Sequence, residues 1–371
     1  MSGKLNAAGG IAADGVNVNR GQPMADTLRI GIIGYGFATK TFHAPLINAT
    51  PGLTLAAVSS SDAGKVHADW PEITVVDDPQ QLIHRDDVDA IVIPTPNDTH
   101  FPLAREALLA GKHVVVDKPF TVTLSQAHEL NQLAQARGRL LSVFHNRRWD
   151  SDFLTLQQLV KAGTLGEIGY LASHYDRFRL EVRDRWRERP GAGSGIWFDL
   201  GAHLIDQMLT LFGMPVAVNA DLAQLRPGAR TTDYFHAVLI YPQRRVVLHG
   251  TLLAAAPTPR FVVHGTRGSY IKYGLDSQED SLKAGERPGG PGWGTDKQDG
   301  VLTLIEDSGG RVTSHPTLPG NYPAYYQGIL AAVRGAAPNP VPAEEAIRVM
   351  ELLELGVESA EQRKTLPVKN G

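Results

Sequence analysis

Five short runs in the first 150 residues, "LRIGIIGYG", "LTLAAVSS", "DAIVIPTP", "HVVVDKP" and "LLSVFH", are apolar at nearly every position and show no in-out alternation. A strand with one wet face alternates; a strand covered on both faces does not. Between the runs lie stretches with helical character, "TFHAPLINA", "SDAGKVHADW", "THFPLAREALLAG" and "TLSQAHELNQLAQARG". Strand and helix in strict succession predict a doubly wound parallel sheet with helices on both faces, spanning roughly residues 27–146.

Beyond residue 146 the texture changes. "EIGYLASHYDRFRL", "PVAVNADLAQL", "TDYFHAVLIYP", "RRVVLHGTLLAA" and "RFVVHGTRGSYIKY" alternate in part and follow one another with few helices between them. They predict one large, mainly antiparallel open sheet, so the chain reads as α/β followed by an α+β domain over residues 147–371. "KAGERPGGPGWGTDKQDG" reads as a loop, and two closing helices, "YPAYYQGILAAVRG" and "PAEEAIRVMELLELGVESAEQ", are expected to pack back on the first domain. Residues 1–26, rich in Gly, Ala and Asn, predict an unstructured extension without the apolar core of a secretory signal.

Charge and cysteine content narrow the function. Against 36 basic residues stand 39 acidic ones, a net charge of -3 that gives no electrostatic case for nucleic acid or a membrane surface. Without cysteine there is no disulfide, thiolate metal site or cysteine nucleophile. No apolar run has the length of a membrane span, and a cytoplasmic location with a small-molecule ligand is expected.

The motifs fall where the strands end. Gly34 and Gly36, in "GYGFAT", match the first two glycines of a dinucleotide fingerprint, with Phe37 and Ala38 on the same turn and Thr39 at the third position. Small residues there permit a tight turn and close approach of backbone N–H groups to a pyrophosphate. The second strand ends in serines, Ser60 and Ser61 among them, with Lys65 nearby, where an acid would select the 2'-hydroxyl of NAD. Hydroxyls and an ammonium favour the 2'-phosphate of NADP(H), with NAD(H) as the alternative; the serines could equally cap the next helix, and Asp62 lies close by. Thr95, Pro96, Asn97 and His100 follow the next strand and offer hydrogen bonds to a nicotinamide, while Asp98 or Thr99 could cap the helix. Asp117 and Lys118 end the strand after that, placing an ammonium where charge develops on a substrate oxygen, and Pro119 stops the ladder. In "WFDLGAHLIDQ", Asp199 and His203 are four apart, on one face of a helix, as an acid/base histidine and an acid that orients it would be.

"GYGFATKTFHAPL", "PTPNDTH", "VVVDKP" and "DLGAH", in this order and spacing, resemble the Gfo/Idh/MocA oxidoreductases across nearly the whole chain from about residue 27. "GYGFATKTFHAPLI" and "WFDLGAHLIDQ" are similar to the branch holding NADP-dependent scyllo-inositol dehydrogenases. The likeness implies a Rossmann domain, a catalytic set of Lys118, Asp199 and His203, and a homodimer or homotetramer formed through the open sheet. Asp117 departs from the family's usual glutamate.

By the same likeness "HNRRWD" faces the substrate, making Asn146 and Arg147 candidates beside a solvated arginine-rich turn as the alternative. Trp186 could stack on a sugar ring and Tyr326 could reach the pocket, or either could be packing. The expected reaction is hydride transfer between nicotinamide and the hydroxyl carbon of a cyclic polyol or sugar, with no metal required. A catalytically silent nucleotide sensor and an oxidoreductase acting on another sugar are the competing readings.

Overall fold

A computed structural model describes residues 27–184 and 188–369. The expected extension at residues 1–26, and Trp186, lie outside the described residues.

Six strands form the first sheet: β1 (Leu28–Ile33), β2 (Leu53–Ser59), β3 (Thr74–Val76), β4 (Ala90–Ile93), β5 (His113–Val116) and β6 (Leu141–Val143). All pair in parallel, in the order β3-β2-β1-β4-β5-β6. Every residue of β4 is buried, as the lack of alternation demands. The helices between them are α1 (Ala44–Ala49), α2 (Ala63–His67), α3 (Pro79–Ile83), α4 (Asn97–Leu109) and α5 (Leu124–Arg137). Because the order reverses between β1 and β4, a crevice opens above their carboxyl ends, where such folds take their ligands.

After α6 (Ser151–Lys161) the chain enters a nine-stranded sheet, and α7 (Ala202–Phe212) follows the sheet's first strand, β7 (Ile168–His174). The sheet continues with β8 (Ala217–Ala223), β9 (Tyr234–Ile240), β10 (Arg245–Thr251), β11 (Phe261–Gly265) and β12 (Gly268–Lys272). A short helix, α8 (Gln278–Lys283), leads to β13 (Gly300–Glu306) and β14 (Gly309–His315). The last elements are α9 (Pro323–Val333), α10 (Ala343–Gln362) and β15 (Leu366–Pro367). The order is β14-β13-β12-β11-β7-β10-β9-β8-β15, antiparallel except for β7 beside β10. "RFVVHGTRGSYIKY" is a hairpin of two strands, and the sequence reading passed over β3, the β13–β14 hairpin and β15.

On this sheet alternate residues point inward. Phe235, Ala237 and Leu239 of β9 are buried, together with Val246 and Leu248 of β10, against α6, α7 and α10. Tyr170, Val301, Ile305 and Val312 lie exposed on the other face. Helix α10 joins the two halves: Ile347 and Met350 belong to the first core, Val349, Leu352 and Leu353 to the second. Tyr322, Tyr325, Ile329 and Leu330, at the head of α9 and along it, also pack into the first core.

Candidate active site

Three loops at the carboxyl edge of the parallel sheet build the crevice. Gly34 adopts φ +89°, which strains any other residue, and its N–H donates to Ser59 O at 2.7 Å. Thr39 replaces the fingerprint's third glycine with a bond: its buried hydroxyl donates to Gly34 O at 2.7 Å and closes the turn. No atom lies within 4 Å of where a Cβ on Gly36 would stand, so backbone is open to a ligand there. Phe37 is 59% exposed and Ala38 half-buried beside it.

At the end of β2, Ser61 and Lys65 are exposed and Ser60 is half-buried. The nearby acid is engaged: Asp62 Oδ1 accepts the Lys65 N–H at 3.0 Å as the cap of α2. The capping alternative thus falls to Asp62 rather than to the serines, although Ser60 Oγ also accepts the Asp62 N–H at 3.2 Å.

After β4, Thr95 and Thr99 share a hydroxyl contact at 2.6 Å, while neither Thr99 nor Asp98 caps α4 with its side chain. Asn97 is buried, and its Nδ2 has no hydrogen-bond partner. Gly193 approaches it so closely that a Cβ there would stand 2.9 Å from that nitrogen. His100 serves differently from the sequence expectation. Its two ring nitrogens lie 2.9 Å from Pro119 O and 2.8 Å from Thr95 O, which ties the two loops together and leaves neither nitrogen for a cofactor.

Lys118 and Asp199 meet. Lys118 Nζ donates to Asp199 Oδ1 and to Asp199 O, both at 2.7 Å, and the Lys118–Pro119 peptide bond is cis. Asp117 Oδ1 accepts the Lys118 N–H at 2.7 Å. Burial alone would raise the Asp117 pKa, but the facing His43 and Lys118 hold it below the usual carboxylate range.

Asp199 lies on a π-helical turn, Trp197–Gly201, that leads into α7, where His203 lies. The wider turn breaks the regular α-helical offset on which the four-residue spacing relied. Among the described residues no side-chain hydrogen bond or ion pair links Asp199 to His203, which corrects the expected orienting role. His203 is buried and its Nδ1 is unpartnered. Desolvation, and then the charges of Lys118, Arg147, His145 and Arg260, push its pKa well below the ordinary 6.5. It is therefore neutral at pH 7 and able to take a proton.

The stretch after β6 is a buried 3-10 turn, Asn146–Trp149, not a solvated one. Helix α7 grips it twice. Gln207 Nε2 donates to Arg147 O at 2.8 Å, and Asp206 receives two bonds from Arg148, at 2.6 and 2.8 Å. Arg147 lies over the Tyr175 ring and donates to Glu279 at 2.8 Å. Burial would raise the Glu279 pKa, yet Arg147 and Lys283 bring it down to about 2. Tyr326 does not reach a substrate pocket: it is fully buried in the first core, its hydroxyl 2.6 Å from His43 Nδ1. Sequence reasoning missed His43, His145 and Arg260. His43 lies inside the quoted "FHAPL", and His145 lies beside Asn146, its ring centroid 6.3 Å from that of His203.

A Rossmann crevice with a lysine and a neutral histidine at its mouth defines an NAD(P)-dependent oxidoreductase. Two family profiles match the chain: the NAD-binding Rossmann fold of the Gfo/Idh/MocA oxidoreductases over residues 28–145, and the family's C-terminal alpha/beta domain over residues 157–369. The chain belongs to the Gfo/Idh/MocA oxidoreductase family. It is 65% identical to the oxidoreductase YdgJ of Escherichia coli, covering 92% of this chain and 99% of that one. It is 38% identical to the NADP-dependent scyllo-inositol 2-dehydrogenase IolW of Bacillus subtilis, over 96% and 100% of the two chains. The solved structure of the YPO2259 oxidoreductase from Yersinia pestis superposes with a TM-score of 0.91 at 63% identity, covering 94% and 99%. No described helix is long and apolar enough to cross a membrane.

Proposed function

We propose that the protein is an NADP(H)-dependent dehydrogenase of a secondary hydroxyl on a cyclic polyol or sugar, of the scyllo-inositol type. The observation that carries this reading is the convergence of Lys118, held on Asp199, with a buried neutral His203 that lies within reach of the Lys118 charge. The likeness to IolW supports the substrate class.

Several features suit the cofactor. Gly34 makes the tight turn and Gly36 leaves backbone open for a pyrophosphate, and the unpartnered Asn97 amide nitrogen offers a donor for the nicotinamide. Exposed Ser61 and Lys65, with Asp62 turned away as a helix cap, suit a 2'-phosphate. The nicotinamide, when bound, accepts or returns the hydride.

The chain supplies the proton and charge chemistry. In the oxidative direction His203 takes the hydroxyl proton, and the Lys118 ammonium stabilises the negative charge that grows on the oxygen. Asp199 anchors that ammonium, so the lysine meets the substrate in one fixed pose. Reduction reverses these roles. Asn146 and Arg147, on the turn gripped by α7, are the candidates for binding the remaining hydroxyls.

The test follows reduced-nicotinamide absorbance with NADP or NAD against a panel of inositols and aldoses. Turnover of an inositol with NADP supports the proposal, and the acid limb of kcat/KM for oxidation should fall below pH 6.5, the sense of the His203 shift. Cofactor binding with silence across the panel would turn the assignment toward a nucleotide sensor.

A further inference from the structure

We propose that His43 is a positioning residue for Lys118, acting through Asp117; the inference rests on the dehydrogenase reading above. His43 ends the π-helical turn that follows the glycine loop, and no part of its side chain reaches solvent. One face of its ring packs on Phe144, centroids 4.3 Å apart. Nδ1 lies 2.6 Å from the Tyr326 hydroxyl. Nε2 has no hydrogen-bond partner and points toward Asp117, 3.7 Å from Oδ2.

The other Asp117 oxygen holds the Lys118 N–H, and the Lys118 ammonium sits on Asp199. A continuous row thus runs from α9 to the reacting centre: Tyr326, His43, Asp117, Lys118, Asp199.

Chemistry fixes the direction of the row. Asp117 is ionised, so the facing group must be a donor. With the Tyr326 O–H donating into Nδ1, the imidazole carries its proton on Nε2, toward the carboxylate. The remaining groups acting on Asp117 are His100 from α4, His145 after β6, and Tyr325 and Tyr326 from α9. A residue that only filled this space needs no nitrogen, and burying an unpaired N–H costs stability unless it faces an anion. At 3.7 Å the imidazole is in electrostatic contact with Asp117 rather than in a formed hydrogen bond.

The experiment uses the full chain and four variants: His43→Asn, Asp117→Asn, the two combined, and Tyr326→Phe. Measured for each are kcat, KM, thermal stability, and the rate at which an acetylating reagent labels Lys118, read by peptide mass. His43→Asn should lower kcat about tenfold with KM within about twofold, the pattern of a misplaced rather than a lost contact. Labelling of Lys118 should change at least about threefold, because its anchoring has loosened. In the Asp117→Asn background the same His43 substitution should change kcat less than about twofold, since the two residues act as a unit. Tyr326→Phe should give a smaller loss of the same kind, and it carries the test if His43→Asn does not fold.

The proposal is overturned if a folded His43→Asn protein keeps both kcat and the labelling rate, or if the two losses multiply. Absence of turnover in the unsubstituted protein would sink the dehydrogenase reading alone. Labelling still reports on Lys118 in that case, and an unchanged rate would then refute the positioning role by itself.

Discussion

The two sheets solve the same problem, burying apolar residues, in opposite ways, and their roles follow from the difference. In the six-stranded sheet both faces are covered, so successive residues Ile91 and Val92 are both fully buried. No face remains for a ligand, and the working surface is the edge where the strands stop: Gly34, Thr95 and Lys118 all lie on loops just beyond strand ends. In the nine-stranded sheet one face is covered and the other partly exposed, and the covered face supports the helix that carries His203. One sheet delivers loops and the other delivers a helix face; the site lies where the two meet.

The sharpest test of that division is to remove the loop's contribution while leaving the sheet intact. Lys118→Met should lower kcat/KM about a thousandfold while a cooperative thermal transition persists, since in the proposed mechanism the ammonium acts on developing charge and its aliphatic stem is retained. A loss of folding in step with activity would show that the strand end is structural.

Core truncations probe the faces directly. Ile91→Ala and Leu239→Ala, both at fully buried positions, should each cost about 2–5 kcal/mol in denaturant unfolding. Val238→Ala, on the opposite face of β9 from Leu239, should cost under about 1 kcal/mol. Equal costs at 238 and 239 would mean that the second sheet is as fully covered in solution as the first.

The parallel sheet also has a pH-sensitive seam. His113 at the start of β5 accepts the Leu140 N–H at 3.0 Å, and burial, followed by the charge of Arg139, lowers its pKa to about 4. The unfolded chain, titrating near 6.5, takes up this proton first. Stability present above pH 6.5 is therefore lost as pH falls toward 4, by on the order of 3 kcal/mol, and levels off below. Unfolding measured across that range should flatten in His113→Gln.

The smallest effect is expected at the crevice's outer end. Lys65→Glu should shift the kcat/KM ratio of NADP to NAD about tenfold toward NAD, the scale of one exposed charge contact with a phosphate. An unchanged ratio would remove Lys65 from the cofactor site and leave the serines to account for any preference.

Much of this was legible in the chain itself. Unbroken apolar runs forced strands buried on both faces, and the crossover rules for such strands left few topologies, so the first sheet and its loaded edge followed from local pattern. Alternation in β9 and β10 likewise marked a half-covered sheet. Local pattern failed where elements were too short or too polar to carry it, as in the three residues of β3 and the exposed β14. It failed again at Asp199, because a π-helical turn shifts the offset between two residues without changing their spacing in sequence.

The sequence alone determined the class of fold and the strand-end loops, one of which carries the candidate Lys118, because backbone periodicity and turn chemistry act within a few residues. Only the tertiary structure decided that the Asp199 carboxylate contacts Lys118, that His100 ties two loops, that Tyr326 belongs to the core, and that His43 faces Asp117. Those are contacts between residues as many as 283 positions apart, and a side chain's partner at that range depends on how whole layers pack.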